Sequence, residues 1–495
     1  MMENKIKVDL ERVIGTIDSR VYSGFIEHLG RCIYGGIYDE GSALSDEHGY
    51  RKDVMEAMRA LKPPILRWPG GNFVSGYHWT DGIGPVEQRP RRMELAWHAE
   101  ESNRFGTDEF LRYCELMHIE PYICVNAGSG TMDEAQAWVE YCNGTGNTYW
   151  ANLRRQNGHP EPYHVTYWGL GNEMYGAWQV GALNAEDYAK KAAAFAKVMK
   201  LTDPSIKLVS CGESGVADWD RVVIEQLARF VDFHSIHIYT GDNDYYRNVF
   251  APHQAERALR ICQATIEQVR YQQQIEQPIY VAYDEWNVWF RTGQEQGDGL
   301  EERYTLSDAL AVATYLNIFL RQCNSVRLAN LAQMVNVIAP IYTSEQGMFL
   351  QTIYHPLRLY ANYMYGDALD VHVSSETHNF PAAKNSPRWT HDVTDLGPFK
   401  LLDASAAYDA ATKTLAVAVI NRDQEQAHAT SLQFADASII QGINVYTVNA
   451  STVDAINSFE ENNVSVQEQR LDVGGASFSY TFPAHSFTLL RMHVR

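Results

Sequence analysis

From residue 21 to about residue 365 the sequence alternates short β-rich runs with longer helical patterns, and no other feature limits the possible fold so tightly. Alternating βα units are typical of a parallel sheet covered by helices. Eight runs of strand length occur, at residues 22–27, 64–69, 121–126, 165–169, 206–211, 231–239, 278–285 and 327–333. Eight is the strand number of a closed (β/α)8 barrel, so the spacing predicts an α/β protein with a TIM barrel at residues 17–370.

Segments with helical periodicity lie between the eight runs, as such a barrel requires. They cover residues 53–61, 108–118, 133–142, 185–201, 219–230, 254–274, 306–321 and 356–365.

After about Gly366 the helical period disappears, and segments of strand length alternate or run apolar between polar turns. These segments include residues 414–420, 443–448, 477–482 and 486–494, and residues 5–10 have the same pattern. Such strands are typical of an antiparallel β-sandwich. We predict a jelly-roll-like sandwich formed by residues 1–16 and 371–495, which includes the N-terminal strand, with a loop or linker at residues 374–398.

The charge balance excludes several classes of function. The chain has 41 Lys and Arg against 61 Asp and Glu, which gives a net charge of −20 at pH 7. We therefore expect no nucleic-acid partner and no anionic membrane, because both require a cationic surface. No apolar run approaches the roughly 18 residues of a membrane span, and we find no signal segment. Seven scattered cysteines without a C-x-x-C pair indicate reduced thiols, so we predict a cytoplasmic location.

The active site of a (β/α)8 barrel lies at the carboxyl ends of its strands, so the residues that close each run are the candidates for chemistry. The fourth run ends in Asn172-Glu173 and the seventh in Asp284-Glu285. Two glutamates at these positions face each other across the barrel mouth. Glycosidic bond cleavage needs such a pair, one carboxylic acid for the leaving oxygen and one carboxylate beneath the anomeric carbon.

A purely structural interpretation of Asn172-Glu173 is a helix cap followed by a first-turn acid. The other strand ends argue against it, because burying so many polar groups without a ligand is costly. They are Glu27-His28, Arg67 to Asn72, Asn126, and His237 with Tyr239. We predict no metal and no cofactor, since His234 and His237 point to opposite faces of an extended strand and no phosphate-binding loop is evident.

Motifs along nearly the whole chain resemble glycoside hydrolase family 51, the retaining α-L-arabinofuranosidases. They are residues 24–28, 66–77, 106–110, 168–173, 234–239, 284–287 and 332–336. The resemblance implies that Glu173 is the general acid/base and that Glu285 is the nucleophile of a double displacement. It also implies a barrel with a β-sandwich, as the strand pattern predicts, and commonly a hexamer.

The resemblance further implies a set of substrate-binding and positioning residues. Asn172 matches the amide that bonds the sugar 2-hydroxyl, and Arg67 matches the residue that orients the nucleophile. The remaining matches are Glu27 and Asn72 for other hydroxyls, His237 and Tyr239 beside the two glutamates, and Trp97 and Trp289 as aromatic walls. A glutamine that many members carry after Val-Asn-Val is absent beside Ala339, and Gln333 or Gln351 is the candidate replacement.

The predicted function is therefore the release of terminal α-L-arabinofuranosyl groups from oligosaccharides derived from arabinan or arabinoxylan. Arabinofuranose-containing oligosaccharides are the expected partners. Two alternatives remain open at this point. The same barrel and carboxylate pair also suits an endoglucanase or a xylosidase, and a non-catalytic sugar-binding protein would use the same aromatic groove.

Overall fold

In the computed structural model, which describes residues 4–290, 300–380, 393 and 395–495, eight parallel strands close into a barrel. The barrel strands are Ser23–Phe25, Ile65–Trp68, Glu120–Cys124, Tyr167–Gly169, Lys207–Ser210, Phe233–Thr240, Tyr280–Val288 and Val326–Ala332. Each strand pairs with its neighbours in chain order, and the eighth pairs with the first. The predicted TIM barrel is confirmed, and every predicted run overlaps one of its strands.

Ten α-helices occur in the described part of the chain. They are α1 (Lys52–Leu61), α2 (Thr107–Met117), α3 (Met132–Asn143), α4 (Tyr149–Gln156), α5 (Ala185–Thr202), α6 (Asp218–Leu227), α7 (Tyr245–Phe250), α8 (His253–Gln273), α9 (Leu306–Arg321) and α10 (Tyr354–Tyr363). Only α4 and α7 were not predicted. Helix α4 buries only Ala151 and Arg154, and α7 has six residues, so neither carries a readable apolar period.

Helix α9 joins the barrel to the second domain. The Thr305 side chain caps its first turn, and the Asp308 carboxylate accepts a hydrogen bond from the Thr305 backbone N–H at 2.8 Å. The helix is apolar on nearly every side and is buried from Leu306 to Leu320, as expected for a helix packed on all faces. It contacts α10 on one side and the sandwich strand Leu402–Asp409 on another. Its last turn, with Asn317 and Arg321, therefore lies at the junction of the two domains.

The second domain is a nine-stranded sheet. In spatial order its strands are Ser465–Leu471, Ile439–Asn449, Ser486–Val494, Thr414–Asn421, Leu402–Asp409, Asp367–Ser374, Asn4–Thr16, His428–Ala435 and Ser477–Phe482. The N-terminal strand pairs parallel with His428–Ala435, and the other ladders are antiparallel. Side chains from distant strands of this order share one hydrophobic core. The sheet therefore folds over on itself, and the predicted sandwich with its N-terminal strand is confirmed.

Part of the predicted loop at residues 374–398 lies outside the described residues. At its ends, Thr377–His378 pairs with Phe399–Lys400. All seven cysteines are described, buried and unpaired. Among the described residues, no helix combines the length and the apolar character that crossing a bilayer requires.

Candidate active site

A pocket of about 510 Å³ opens at the carboxyl ends of the barrel strands. Of the eleven predicted site residues, the pocket lining contains nine: Glu27, Asn72, Trp97, Glu173, His237, Tyr239, Glu285, Trp289 and Gln333. Arg67 and Asn172 lie directly behind the lining and contact it by hydrogen bonds. The volume is in the range of pockets that enclose one small ligand.

Glu285 lies on the seventh barrel strand, where the register sets it beside His237 of the sixth strand. Its carboxylate accepts a hydrogen bond from Arg67 Nη1 at 2.9 Å and another from the Tyr239 hydroxyl at 2.8 Å. Burial raises the pKa of Glu285 above the ordinary glutamate value, although the charges of His237 and Arg67 oppose the shift. The two donors fix the carboxylate and favour its charged form.

Glu173 follows the fourth strand, and its backbone has a conformation that few residues other than glycine adopt. Its φ is 43° and that of Gly171 is 93°, both in the left-handed region, and such conformations concentrate at functional sites. Glu173 Oε1 lies 3.0 Å from His237 Nδ1, and Oε2 accepts a hydrogen bond from Trp178 Nε1 at 3.0 Å. Burial opposes ionisation, but the hydrogen bond and charge of His237 outweigh it and lower the pKa of Glu173.

His237 connects the two glutamates. Its Nδ1 lies 3.0 Å from Glu173 and 3.5 Å from Glu285, while Nε2 lies 3.2 Å from Asp284 Oδ1. Burial alone would lower the pKa of His237, but the surrounding carboxylates raise it to about 10. The lowered pKa of Glu173 and the raised pKa of His237 place the proton of their hydrogen bond on the histidine at neutral pH.

Glu173, His237 and Glu285 each offer one atom within 4.8 Å of the other two, a spacing that could also suit a metal ion. The surroundings disfavour a cation there. The Arg67 guanidinium already occupies one face of Glu285, and His237 uses both ring nitrogens on carboxylates. The trio is better described as two carboxylates joined by a shared proton donor.

Arg67 forms the charged floor of the site and is 1% exposed. It donates to Glu285 and, through Nη2, to Asn172 Oδ1 at 2.6 Å, and its guanidinium stacks over Phe25 at 4.5 Å. Asp284 Oδ2 lies 3.7 Å from Arg67 Nε. One cation thus orients both the nucleophile candidate and the amide candidate for the sugar 2-hydroxyl.

Glu27 anchors the opposite wall. Its carboxylate accepts hydrogen bonds of 3.0 Å from Phe73 N, Trp97 Nε1 and Gln333 Nε2. Burial raises the pKa of Glu27 to about 7. Among the described residues, Gln333 Oε1 is buried without a hydrogen-bond partner, whereas the side-chain amide of Gln351 bonds to backbone groups of Glu302, Ala339 and Tyr304. Of the two candidate glutamines, only Gln333 reaches the pocket.

Several functional positions were missed by sequence reasoning. Trp178 is 62% exposed and donates a hydrogen bond to Glu173, and the Tyr175 ring packs edge-on against the Trp178 ring. Two aromatic residues within five positions of Glu173 were the available signal. Gly71 allows a close approach, because a Cβ there would stand a tight 3.1 Å from both Glu27 Oε2 and Glu285 Oε1 and would press on the two carboxylates. Trp289, as predicted, lines the pocket, where it packs edge-on against Tyr239.

An eight-stranded parallel barrel that holds two carboxyl side chains less than 5 Å apart, in a pocket walled by aromatic and amide side chains, defines a glycoside hydrolase. Two family models match the chain: the alpha-L-arabinofuranosidase 1 domain at residues 57–257 and the alpha-L-arabinofuranosidase C-terminal domain at residues 284–486. The chain belongs to glycoside hydrolase family 51, the α-L-arabinofuranosidases.

Individual relatives agree with this assignment. The Aspergillus fumigatus protein named "Probable alpha-L-arabinofuranosidase C" is 46% identical over 98% of this chain and 96% of its own length. An intracellular exo-alpha-(1->5)-L-arabinofuranosidase of Halalkalibacterium halodurans is 39% identical over 85% of each chain. The crystal structure of the Thermotoga maritima α-L-arabinofuranosidase in complex with arabinose superposes with a TM-score of 0.91 at 41% identity, covering 99% of both chains.

Proposed function

We propose that this protein is an exo-acting, retaining α-L-arabinofuranosidase that removes terminal arabinofuranosyl groups from arabinan- or arabinoxylan-derived oligosaccharides. The observation that carries the proposal is the spacing of Glu173 and Glu285: one carboxylate oxygen of each and one ring nitrogen of His237 lie within 4.8 Å of one another. Retaining enzymes hold their carboxyls about 5–5.5 Å apart, whereas inverting enzymes leave roughly 6.5–9.5 Å for a water molecule.

In the first step the Glu285 carboxylate attacks the anomeric carbon as the bond from that carbon to the leaving oxygen breaks. Arg67 and Tyr239 hold the attacking carboxylate in place, each by one hydrogen bond. The leaving oxygen takes a proton from Glu173, and the product is a covalent arabinofuranosyl ester of Glu285.

The proton for this step comes from the hydrogen bond between Glu173 and His237. In the unliganded site the proton lies on His237, whose pKa is raised to about 10. Transfer along the 3.0 Å contact makes Glu173 an acid, and it leaves His237 neutral between Glu173 and Asp284. The pair therefore acts as one proton store rather than as two independent groups.

In the second step Glu173, now a carboxylate, removes a proton from water as the water oxygen attacks the anomeric carbon and the ester bond to Glu285 breaks. Asn172 is positioned by Arg67 to bond the sugar 2-hydroxyl. Glu27, Asn72 and Gln333 are the proposed ligands of the other hydroxyls, and the unpartnered Gln333 Oε1 supplies a free acceptor. Trp97 and Trp289 form the aromatic walls.

The exo mode, the cytoplasmic location and a hexameric assembly are part of the same proposal. The exo mode is supported by the limited size of the pocket, about 510 Å³. The location is supported by the buried, unpaired cysteines and by the intracellular relative. The hexamer rests on family resemblance. We also propose residues 17–370 as the catalytic domain, with residues 1–16 and 371–495 as the sandwich domain.

A substrate panel tests the proposal. The purified protein is incubated with 4-nitrophenyl α-L-arabinofuranoside, 4-nitrophenyl β-D-xyloside, β-glucan and arabinofuranosylated oligosaccharides, and the released sugars are identified by chromatography. We expect arabinose as the released monosaccharide and no cleavage of β-glucan. Depolymerised β-glucan, or xyloside turnover above arabinofuranoside turnover, would support the endoglucanase or xylosidase alternative instead. Saturable sugar binding without any turnover would indicate a non-catalytic binding protein.

A further inference from the structure

A second cavity, of about 320 Å³, lies where the barrel meets the sandwich, away from the barrel mouth. Helices α8 and α9 of the barrel form one side, and the sandwich strands Asp367–Ser374 and Leu402–Asp409 form the other. Its charged lining consists of His253, Glu256, Arg260, Arg321, Lys400, Asp403 and Arg422. None of these side chains takes part in the proposed reaction.

Part of this charge is neutralised within the cavity wall. Arg321 Nη1 lies 3.0 Å from Asp403 Oδ1, and Arg321 Nε lies 3.4 Å from Glu256 Oε1. Asp403 also accepts a hydrogen bond from Asn317 at 2.9 Å. The two carboxylates of the lining are therefore already occupied by Arg321 and its neighbours.

Arg422 has no such partner. It is 1% exposed, and its guanidinium donates to His253 Nε2 at 2.8 Å and to the Lys400 carbonyl at 2.6 Å. Its Nε is buried without an acceptor, and no described carboxylate lies within ion-pair distance of it. Burial lowers the pKa of Arg422 to about 10. The charge of Asp403 opposes this shift, but without ion-pair contact, so the Arg422 guanidinium has no anion in direct contact among the described residues.

The rest of the lining adds to the positive excess. Arg260 and Lys400 are exposed at the cavity wall and, within the described part of the chain, form no ion pair. His253 accepts from Arg422 through Nε2, so it is neutral there. Four cations thus face two carboxylates, in a protein whose overall charge is −20.

We propose that this cavity binds a small phosphate-bearing anion. Two excess positive charges match a dianion, and guanidinium groups bind phosphate oxygens by charge-assisted hydrogen bonds. A phosphate oxygen would give Arg422 an anionic acceptor, whereas its present acceptors, His253 Nε2 and the Lys400 carbonyl, are both neutral. The cavity also has an apolar wall that includes Val371, Val373 and Phe399, which gives room for the organic part of a phosphate ester. The bound anion would bridge helices of the barrel to strands of the sandwich.

The experiment is a calorimetric titration of the full-length protein with inorganic phosphate and with arabinose 5-phosphate, at constant ionic strength set with chloride. The test variants are Arg260→Gln and Lys400→Gln, and Arg422→Gln is added if it folds. Lys197→Gln is the matched control, since it removes one exposed charge on α5 far from the cavity. We expect saturable binding of phosphate to the wild type and equal binding to the control. In each test variant binding should be about tenfold weaker, because one charge-assisted hydrogen bond is lost.

Tighter binding of the ester than of phosphate would identify a phosphorylated small molecule as the occupant, and equal binding would identify free phosphate. Arabinofuranosidase activity without ligand should be the same in Arg260→Gln, Lys400→Gln and the wild type. The proposal is overturned if no saturable phosphate binding occurs, or if both test variants bind as tightly as Lys197→Gln.

Discussion

The barrel mouth and the junction between the barrel and the sandwich both bury clusters of charged side chains, but the sign in excess differs. At the mouth four carboxyl groups face two cationic groups: Glu27, Glu173, Asp284 and Glu285 against Arg67 and His237. At the junction four cationic groups face two carboxylates: Arg260, Arg321, Lys400 and Arg422 against Glu256 and Asp403.

In both proposals the sign in excess is opposite to the charge of the species that the site would stabilise. An excess of carboxylates at the mouth suits the positive charge that develops on a sugar ring as its glycosidic bond breaks. An excess of guanidinium and ammonium groups at the junction suits an anion. We expect substitutions of the two glutamates at the mouth to act mainly on turnover, and substitution of Asp403 at the junction to act mainly on stability.

The largest expected effect is at Glu285. The Glu285→Ala substitution removes the proposed nucleophile, and we expect kcat to fall on the order of 10⁴-fold or more. The measurement is hydrolysis of 4-nitrophenyl α-L-arabinofuranoside, with a thermal melt to verify folding. Glu345→Ala, which removes an exposed glutamate from a hairpin turn, is the control and should retain wild-type turnover. Near-normal activity of Glu285→Ala would contradict the proposal that the barrel mouth is the active site.

Glu173→Ala should show an effect that depends on the leaving group. Natural oligosaccharides need a proton on the departing oxygen, so we expect a loss of roughly 10²–10⁴-fold for them. The loss of kcat/KM on the 4-nitrophenyl substrate should be much smaller, because nitrophenolate leaves without protonation. Added azide should restore turnover by entering the space of the missing carboxylate. Equal losses on both substrates would contradict the acid/base role.

At the junction, Asp403→Asn should act on stability. The substitution removes the main counter-charge of Arg321, and we expect the free energy of unfolding to drop by about 3–5 kcal/mol. Asp370→Asn, at an exposed ion pair with Arg12, is the matched control with a loss below about 0.5 kcal/mol. Denaturant unfolding measures both, and kcat of the folded protein should stay unchanged. An Asp403→Asn variant that is as stable as the wild type but has impaired turnover would contradict the view that the junction acts on stability and the mouth on turnover.

The smallest effect concerns pH. The acid limb of kcat/KM should lie above pH 4.5, because activity requires ionised Glu285 and burial raises its pKa. The alkaline limb should approach pH 10, because activity is lost as the proton leaves the Glu173–His237 pair and the pKa of His237 is about 10. In His237→Asn the alkaline limb should move to lower pH while the acid limb remains. An alkaline limb unaffected by this substitution would exclude the shared proton.

Much of the mouth could be predicted because its residues close consecutive barrel strands. Glu27, Arg67, Asn172, His237 and Glu285 all sit at the carboxyl end of a readable apolar run, so the barrel topology alone brings them together. Trp178 escaped prediction because it lies in a loop and is mostly exposed. Its contact with Glu173 depends on the loop path, which no periodic pattern encodes.

The charged cluster at the junction could not be predicted from the sequence, for a different reason. Asp403 meets Arg321 across 82 positions, and Arg422 meets His253 across 169. Each of these residues, taken alone, has the pattern of a solvated charge. Only the docking of the sandwich on α8 and α9 buries them, and no strand or helix period specifies that docking. Likewise, spacing in the sequence did not reveal that Gln333 lines the pocket while the Gln351 side chain points to backbone groups.

The most direct test of the account is to identify the residue that becomes attached to the sugar. A 2-fluoro arabinofuranosyl donor with an activated leaving group should accumulate the intermediate, and peptide mass spectrometry would locate it. We predict one 2-fluoro arabinofuranosyl ester, carried by the peptide that contains Glu285. With an ordinary substrate we predict that the sugar is released with its anomeric configuration retained. An adduct on another carboxylate, or inverted product formed with no adduct at all, would contradict the double displacement.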